Sequence, residues 1–389
     1  MAGVDQSKSR KQPVFTKTAN KKTVGLEIEA GSIAATEVSV NGSSAVTGHA
    51  VAALEPGVFR EGEVSDPVAL GATLKQLFSD HKLSRNVRVG VANQRVAVRT
   101  LHLPAIDDDA ELETAVRFQA QDHIPMPLDQ AVLDWQVVGR RFGPNGEEQV
   151  EVVAVAARRD MIEALIGALR AAGLTPVGID LSVFGMIRAL GHESHAEFGA
   201  ETAPAQAYEA GIGEQVVDPQ GVEAPVPARL YVNLADLTNL VVAQGSTCLF
   251  TRISAFGIEG VAQRLAEREK LTLEHARQWL SFAGLEGHAV DADADPAKIE
   301  AARAALVDGA AKLAEEIRLS LEFYRAQENA VPIEGIVGCG AGTMIPGLVE
   351  RLQDSLGLPV VTGRPPALAH LDDAAATRLT LSYGLALEG

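Results

Sequence analysis

Glu27 ends a strand-like run, Val24-Gly25-Leu26-Glu27-Ile28, that breaks at Ala30-Gly31-Ser32. Asn233 has an equivalent place, after Leu230-Tyr231-Val232 and before Leu234-Ala235-Asp236-Leu237-Thr238. A third strand, Ile336-Val337, opens into Gly338-Cys339-Gly340-Ala341-Gly342-Thr343 and then a helix. A carboxylate at a strand end sits near a magnesium-bound phosphate, while turn amides cradle the phosphate oxygens. The glycines of the third stretch let backbone approach a flat or charged group, with a helix N-terminus behind it. The three stretches read as two half-sites and a lid of one nucleotide pocket held between two domains.

Each half-site is altered for that chemistry. Glu29 sets a second acid beside the first turn, where it would repel a polyphosphate unless it points to solvent. Asn233 orients a water or a metal ligand but carries no charge. Asp236 is a substitute acid on a different side of the second turn. Hydrolysis needs a polarised water and a neutralised γ-phosphate, and neither is secured here. A half-site and an ordinary hairpin both remain open for the first stretch.

The rest of the chain must position these residues. At 389 residues, two domains with a core each are expected. The net charge of −17 argues against a nucleic-acid partner. No apolar run is long enough to cross a membrane, and no secretory signal is expected at the N-terminus. Cys248 and Cys339 lie in strand-like contexts and read as free thiols of a cytoplasmic protein. Residues 1–22 carry Lys8, Arg10, Lys11, Lys17, Lys21 and Lys22 against Asp5, a disordered basic tail that either solubilises the chain or meets anionic lipid.

Strands and helices alternate after the tail. A hairpin is expected over 23–28 and 33–40, a helix over 67–81, and strands over 87–91 and 95–103. Asp107-Asp108-Asp109 precede a helix over 110–121, as suits its positive end. Strands over 131–140 and 149–157, a helix over 160–172, a strand over 176–180 and a helix over 183–190 complete the first domain, residues 23–190. Within it, 87–169 reads as an inserted α+β module. Residues 191–227 lack periodicity and read as a flexible insertion or linker. A second domain is expected over 228–372. It holds strands to 252, helices over 257–282, a long helix over 296–326, a strand over 335–338, a helix over 344–356 and a strand over 359–361. Residues 373–389 form a C-terminal helix returning to the first domain.

Several stretches then carry a resemblance. They include Glu113-Thr114-Ala115-Val116-Arg117-Phe118-Gln119-Ala120-Gln121-Asp122-His123-Ile124-Pro125-Met126-Pro127, the helix Glu316-Ile317-Arg318-Leu319-Ser320-Leu321-Glu322-Phe323, and the terminal Gly384-Leu385-Ala386-Leu387. With the strand–turn stretches, they make the chain similar to PilM, the actin-like component of type IV pilus assembly, related in fold to FtsA. The resemblance implies an α/β, actin-like, ribonuclease-H-like two-domain fold with an FtsA-type 1C module. It spans about 24–387 and omits 191–227.

It also implies a site. ATP or ADP with Mg would meet Glu27, Ala30, Gly31 and Ser32 at the first turn, and Asn233, Ala235 and Thr238 at the second. Gly338, Gly340, Ala341 and Gly342 would take the adenosine and phosphate side, and Glu316 and Arg318 the base and ribose. Glu27 would reach magnesium through phosphate. The chain departs from the family pattern at Glu29, Ala34 and Asn233, where Gly, Lys and Asp are usual. A solvated helix face explains Glu316 and Arg318 equally well, and tight strand–helix packing explains the glycines.

In that family the groove between the 1C module and the core of the first domain holds the N-terminal peptide of the membrane protein PilN. Phe118, His123, Ile124, Pro125, Met126 and Trp135 are the candidate groove residues here, with the module's own core as the alternative. The resemblance places the chain in the cytoplasm, at the inner face of the membrane through a partner. Further pilus-platform components and self-association are expected. The functions in view are a pilus adaptor that uses ATP or does not, an ATPase driving assembly, or the related L component of a type II secretion platform. Two metal-like motifs fail. Asp291-Ala292-Asp293-Ala294-Asp295-Pro296 lacks the glycine of a calcium loop and reads as a loop and helix cap, and His192-Glu193-Ser194-His195 lacks zinc spacing.

Overall fold

The computed structural model describes residues 21–40, 44–143, 146–191, 227–285, 295–327 and 330–387. The tail over 1–20, most of 191–227, and the two metal-like motifs up to residue 294 lie outside the described residues.

In chain order the first half comprises β1 (Lys21–Glu29), β2 (Ser32–Val40), β3 (Ser44–Ala53), β4 (Phe59–Arg60), β5 (Glu63–Val64), α1 (Pro67–Asp80), β6 (Asn86–Val91), β7 (Ala97–Pro104), α2 (Asp109–His123), β8 (Ala131–Phe142), β9 (Glu148–Arg158), α3 (Arg159–Ala171), β10 (Thr175–Leu181) and α4 (Ser182–Leu190). The second half comprises β11 (Ala228–Leu234), β12 (Thr238–Gln244), β13 (Thr247–Ser254), α5 (Ile258–Glu269), α6 (Leu273–Ala283), α7 (Pro296–Arg325), β14 (Ile333–Cys339), α8 (Leu348–Leu356), β15 (Val360–Thr362) and α9 (Asp373–Ala386).

One topology is built twice. The first sheet runs β3-β2-β1-β6-β10 and the second β13-β12-β11-β14-β15. In each, an antiparallel meander leads and two parallel strands follow. β1 and β11 are therefore central strands. Along β11 every residue is buried, as a strand covered on both faces requires. β1 and β2 are joined by the two-residue turn Ala30-Gly31, with Glu29 opposite Ser32. β1 begins at Lys21 rather than at 23, because Lys22 is anchored to Glu37 of β2 (Nζ to Oε1 2.7 Å).

α4 and α9 join the halves. Met186, Ile187 and Leu190 of α4 pack with Tyr231 and Val241 of the second sheet and with Leu381 of α9. α9 also lies on the first sheet, where Ser382 Oγ meets Thr36 Oγ1 at 2.7 Å and Arg88 bonds the Leu387 carbonyl (2.5 Å). In the second half, α7 buries residues at three- and four-residue spacing, from Ala302 through Leu306, Ala310, Leu313, Ile317 and Leu321 to Tyr324. Asp295 caps α7 through the Ala297 amide (3.0 Å), with Pro296 behind it. The helical stretch over 257–282 is two helices, because Lys270 closes α5 in the left-handed region (φ 54°).

The inserted sheet is β7-β9-β8, covered by α2 around Leu101, Leu112, Val116 and Ile124. It is narrower than 87–169. β6 pairs with β1 and β10 in the first sheet, and Met161, Ile162 and Leu165 of α3 lie in that domain's core with Leu70 and Leu74. Their apolar faces are spent on the first domain, so the module is bounded by Ala97 and Arg158.

Candidate functional site

The two strand–turn junctions meet, because β1 and β11 hold equivalent central places. Asn233 Nδ2 donates to Glu27 Oε1 at 3.4 Å, between residues 206 apart in the chain. The turns interlock more closely still. The Ala30 N–H donates to Asp236 Oδ2 at 2.8 Å. Asp236 also accepts from the Leu237 N–H (2.7 Å), which aims its carboxylate across the cleft. Above the same turn lies the Arg277 guanidinium, paired with Glu259 (Nε to Oε2 2.8 Å), and a Cβ on Gly31 would collide with it.

Electrostatics here are dominated by acids. Burial, with the Glu29 and Asp236 carboxylates, holds the Glu27 carboxyl well above its usual range, while Arg378 opposes the shift. Burial and Asp236 push Glu29 up to about 7, against Arg378 and a hydrogen bond from Asn233. Burial raises Asp236 as well, against the hydrogen bonds from Ala30 and Leu237. Glu27, Glu29, Ser32, Asn233, Gly340 and Arg378 line a cleft with room for about 10 Å³, the space of one water.

Mg-ATP tests poorly against these residues. The turn amide that would cradle a phosphate is bonded to Asp236. The acids repel a polyphosphate, and the free space does not admit one. Among the described residues no group of three or more His, Cys, Asp or Glu is placed to hold a metal ion. In this arrangement the residues present do not fit a nucleoside triphosphate with magnesium.

Of the other nucleotide candidates, Ser32, Gly340 and Ala341 line the cleft with Glu27 and Asn233. The remainder do not, each for a local reason. Thr238 Oγ1 donates to the Phe256 carbonyl (2.6 Å), and the Ala235 carbonyl accepts from Ile258 (2.8 Å). Gly338 lies against Thr343, and Gly342 against Leu234. Gly340 has φ +84°, and a Cβ there would meet Asn233 Oδ1, so packing accounts for this glycine. Glu316 pairs with Arg252 of β13 (3.5 Å), while Arg318 binds Glu315 (2.6 Å) and the Ser355 carbonyl of α8 (2.9 Å). Sequence reasoning passed over Arg378 entirely, since no motif marks it.

A second cavity, of about 500 Å³, lies where the module meets both domains. Pro125 and Met126 line it from the end of α2, and Val91 through Arg99 run along its wall. Leu181, Val183, Asn239 and the stretch Thr251–Ile253 close it from the other side. The six groove candidates separate here. Pro125 and Met126 face the cavity, Met126 while also packing on the edge of the module core. Ile124 is module core, 4 % exposed, and Trp135 packs on the edge of that core. Phe118 is 73 % exposed and His123 turns its Nδ1 to the Gln119 carbonyl (2.9 Å), so neither lines the cavity. The His123 carbonyl does accept from Arg99 Nε (3.1 Å), which ties the end of α2 to β7.

Residues 25–205 match the family model described as "Type IV pilus assembly protein PilM". A solved PilM–PilN type IV pilus biogenesis complex is 26 % identical over 95 % of this chain and 98 % of that one, with a TM-score of 0.73. The chain is similar to PilM. The ethanolamine utilization protein EutJ of Carboxydothermus hydrogenoformans shares the fold at 13 % identity, covering 95 % of this chain and 92 % of that one, with a TM-score of 0.50. The fold of this PilM-like chain is actin-like, in keeping with its repeated sheet. The match over 25–205 takes in the module and its wall of the cavity, while β12 and β13, the opposite wall, lie beyond it.

Proposed function

We propose that this chain is a cytoplasmic adaptor of type IV pilus assembly. Its 500 Å³ groove takes the N-terminal peptide of a PilN-like inner-membrane protein. The single observation carrying this reading is the contrast between two cavities. The nucleotide cleft is closed by the chain's own acids, whereas the groove beside Met126 is open and lined by apolar and amide side chains together with Arg95, Arg99, Arg158 and Arg252. The likeness to a PilM–PilN complex supports the choice of partner.

An adaptor needs a shaped groove and a rigid frame, and the continuous layer through α4 and α9 supplies the frame. Nucleotide turnover is not required on this reading. Among the described residues no helix is long and apolar enough to cross a membrane. The partner peptide therefore holds the chain at the inner face of the membrane, beside the other platform components. Calorimetric titration with a synthetic PilN-like N-terminal peptide tests the proposal. Saturable binding that Met126→Ala weakens supports it, and binding that Met126→Ala leaves unchanged places the peptide elsewhere.

A further inference from the structure

Asn239 of β12 is 1 % exposed, and neither its Oδ1 nor its Nδ2 has a hydrogen-bond partner among the described residues. Burying an amide in this way is unfavourable, since both its donor and its acceptor lose water. Its cross-strand neighbour is Asn233, so the two amides share one sheet face. Asn233 is satisfied at the acidic cleft, and Asn239 is not. Asn239 borders two cavities, one of about 20 Å³ toward Glu27 and Asp236 and the 500 Å³ groove. The smaller cavity has room for a water, and only the groove has room for a peptide.

The groove also lies between two sheet margins. Among the described residues β7 pairs only with β9, and β13 only with β12, so each is an edge strand there, and residues of both line the cavity. Such edges are templates for an extended chain. A carboxamide presents an N–H donor and a carbonyl acceptor side by side, the same pair that one residue of an extended strand presents along its edge.

We infer that Asn239 binds the main chain of an extended peptide in the groove, pairing with the N–H and C=O of one peptide residue and making the second domain part of the peptide site. This rests on the groove reading proposed above and adds a residue from outside the matched 25–205 segment. Peptide occupancy then ties the second domain to the module, because the peptide touches Met126 on one side and Asn239 on the other.

The experiment compares the full chain with its Asn239→Leu variant, using the PilN-like N-terminal peptide as probe. Leucine is similar in size and carries no polar group. The expected result is opposite in its two readouts: the free variant melts at or above the wild-type temperature, and peptide affinity falls about tenfold, as the loss of two neutral hydrogen bonds implies. A scan of peptides N-methylated at one position each should find a position that weakens wild-type binding and leaves Asn239→Leu unaffected. If the leucine variant does not fold, Asn239→Ser, too short to reach, should show the same loss of affinity. Equal affinity in wild type and variant overturns the inference and leaves the groove reading standing. No binding by wild type, or self-association of the chain through this groove, overturns both.

Discussion

The Ala30 amide and the Asp236 carboxylate close the cleft from opposite sides, at 2.8 Å and 206 residues apart. A side-chain carboxylate thus holds the turn amide that a phosphate oxygen would take in a nucleotide-loaded relative of this fold. Asp236→Ala should release it. Hydrogen exchange at the Ala30 amide should speed up and stability should fall by about 1–2 kcal/mol, the range for a charge-assisted hydrogen bond within a partly compensated site. Unchanged exchange at Ala30 would show that the turn is held by its own hairpin.

The acids set a pH dependence. Glu29 is raised to about 7, so between its ordinary 4.5 and 7 the folded chain binds more protons than the unfolded one. Stability contributed by this group is then greatest at low pH and declines as pH rises through that window, by at most about 1.4 kcal/mol per pH unit per proton. Glu27 and Asp236 are raised too and act with the same sign. Thermal melts from pH 5 to 8 should show a shallower decline for Glu29→Gln than for wild type. Parallel curves would place Glu29 in solvent.

Core and groove separate within one short stretch of α2 and its exit. Ile124→Ala should cost about 2–5 kcal/mol of stability, as expected for a large-to-small change in a packed core. Met126→Ala should leave the melting temperature nearly unchanged and weaken peptide binding by about 2 kcal/mol, if it is a true anchor. Phe118→Ala should change neither, since Phe118 is 73 % exposed and outside the groove. Melting and titration of these three variants check the assignment together.

Nucleotide affinity depends on removing the acids. Wild type should show no shift in melting temperature with Mg-ATP. The triple variant Glu29→Gly, Ala34→Lys, Asn233→Asp should gain one, because it deletes a repelling acid, adds a counter-charge and restores a charged second half-site. A wild-type shift equal to that of the variant would mean that the cleft opens readily around nucleotide despite Glu29 and Asp236.

Much of the fold was legible because its periodicities are local. The hairpin at Ala30, the helix capped by Asp108 and the long helix from Pro296 all follow from spacing and capping. The convergence of Glu27 and Asn233 followed from a repeated strand–turn pattern. The interlock did not, since nothing in a linear chain says that Asp236 crosses to Ala30 while Thr238 turns to Phe256. Arg378 was missed because α9 is buried on nearly all sides and its one cleft-facing cation has no motif. The groove was half legible. A run rich in apolar residues marked the end of α2, but Ile124 is wholly core while nearby Met126 lies between core and cavity, a distinction made by packing alone. Asn239 gave no signal, because an Asn in a strand becomes notable only once its partners are known to be absent.

The central claim is that the groove, and not the cleft, is the working site. Calorimetry of the wild-type chain with a PilN-like N-terminal peptide, in buffer free of nucleotide and magnesium, tests it most directly. The account predicts saturable one-to-one binding whose affinity is unchanged when Mg-ATP is added. Binding that appears only with Mg-ATP would contradict it, and would make the cleft closed by Ala30 and Asp236 the switch that opens the groove.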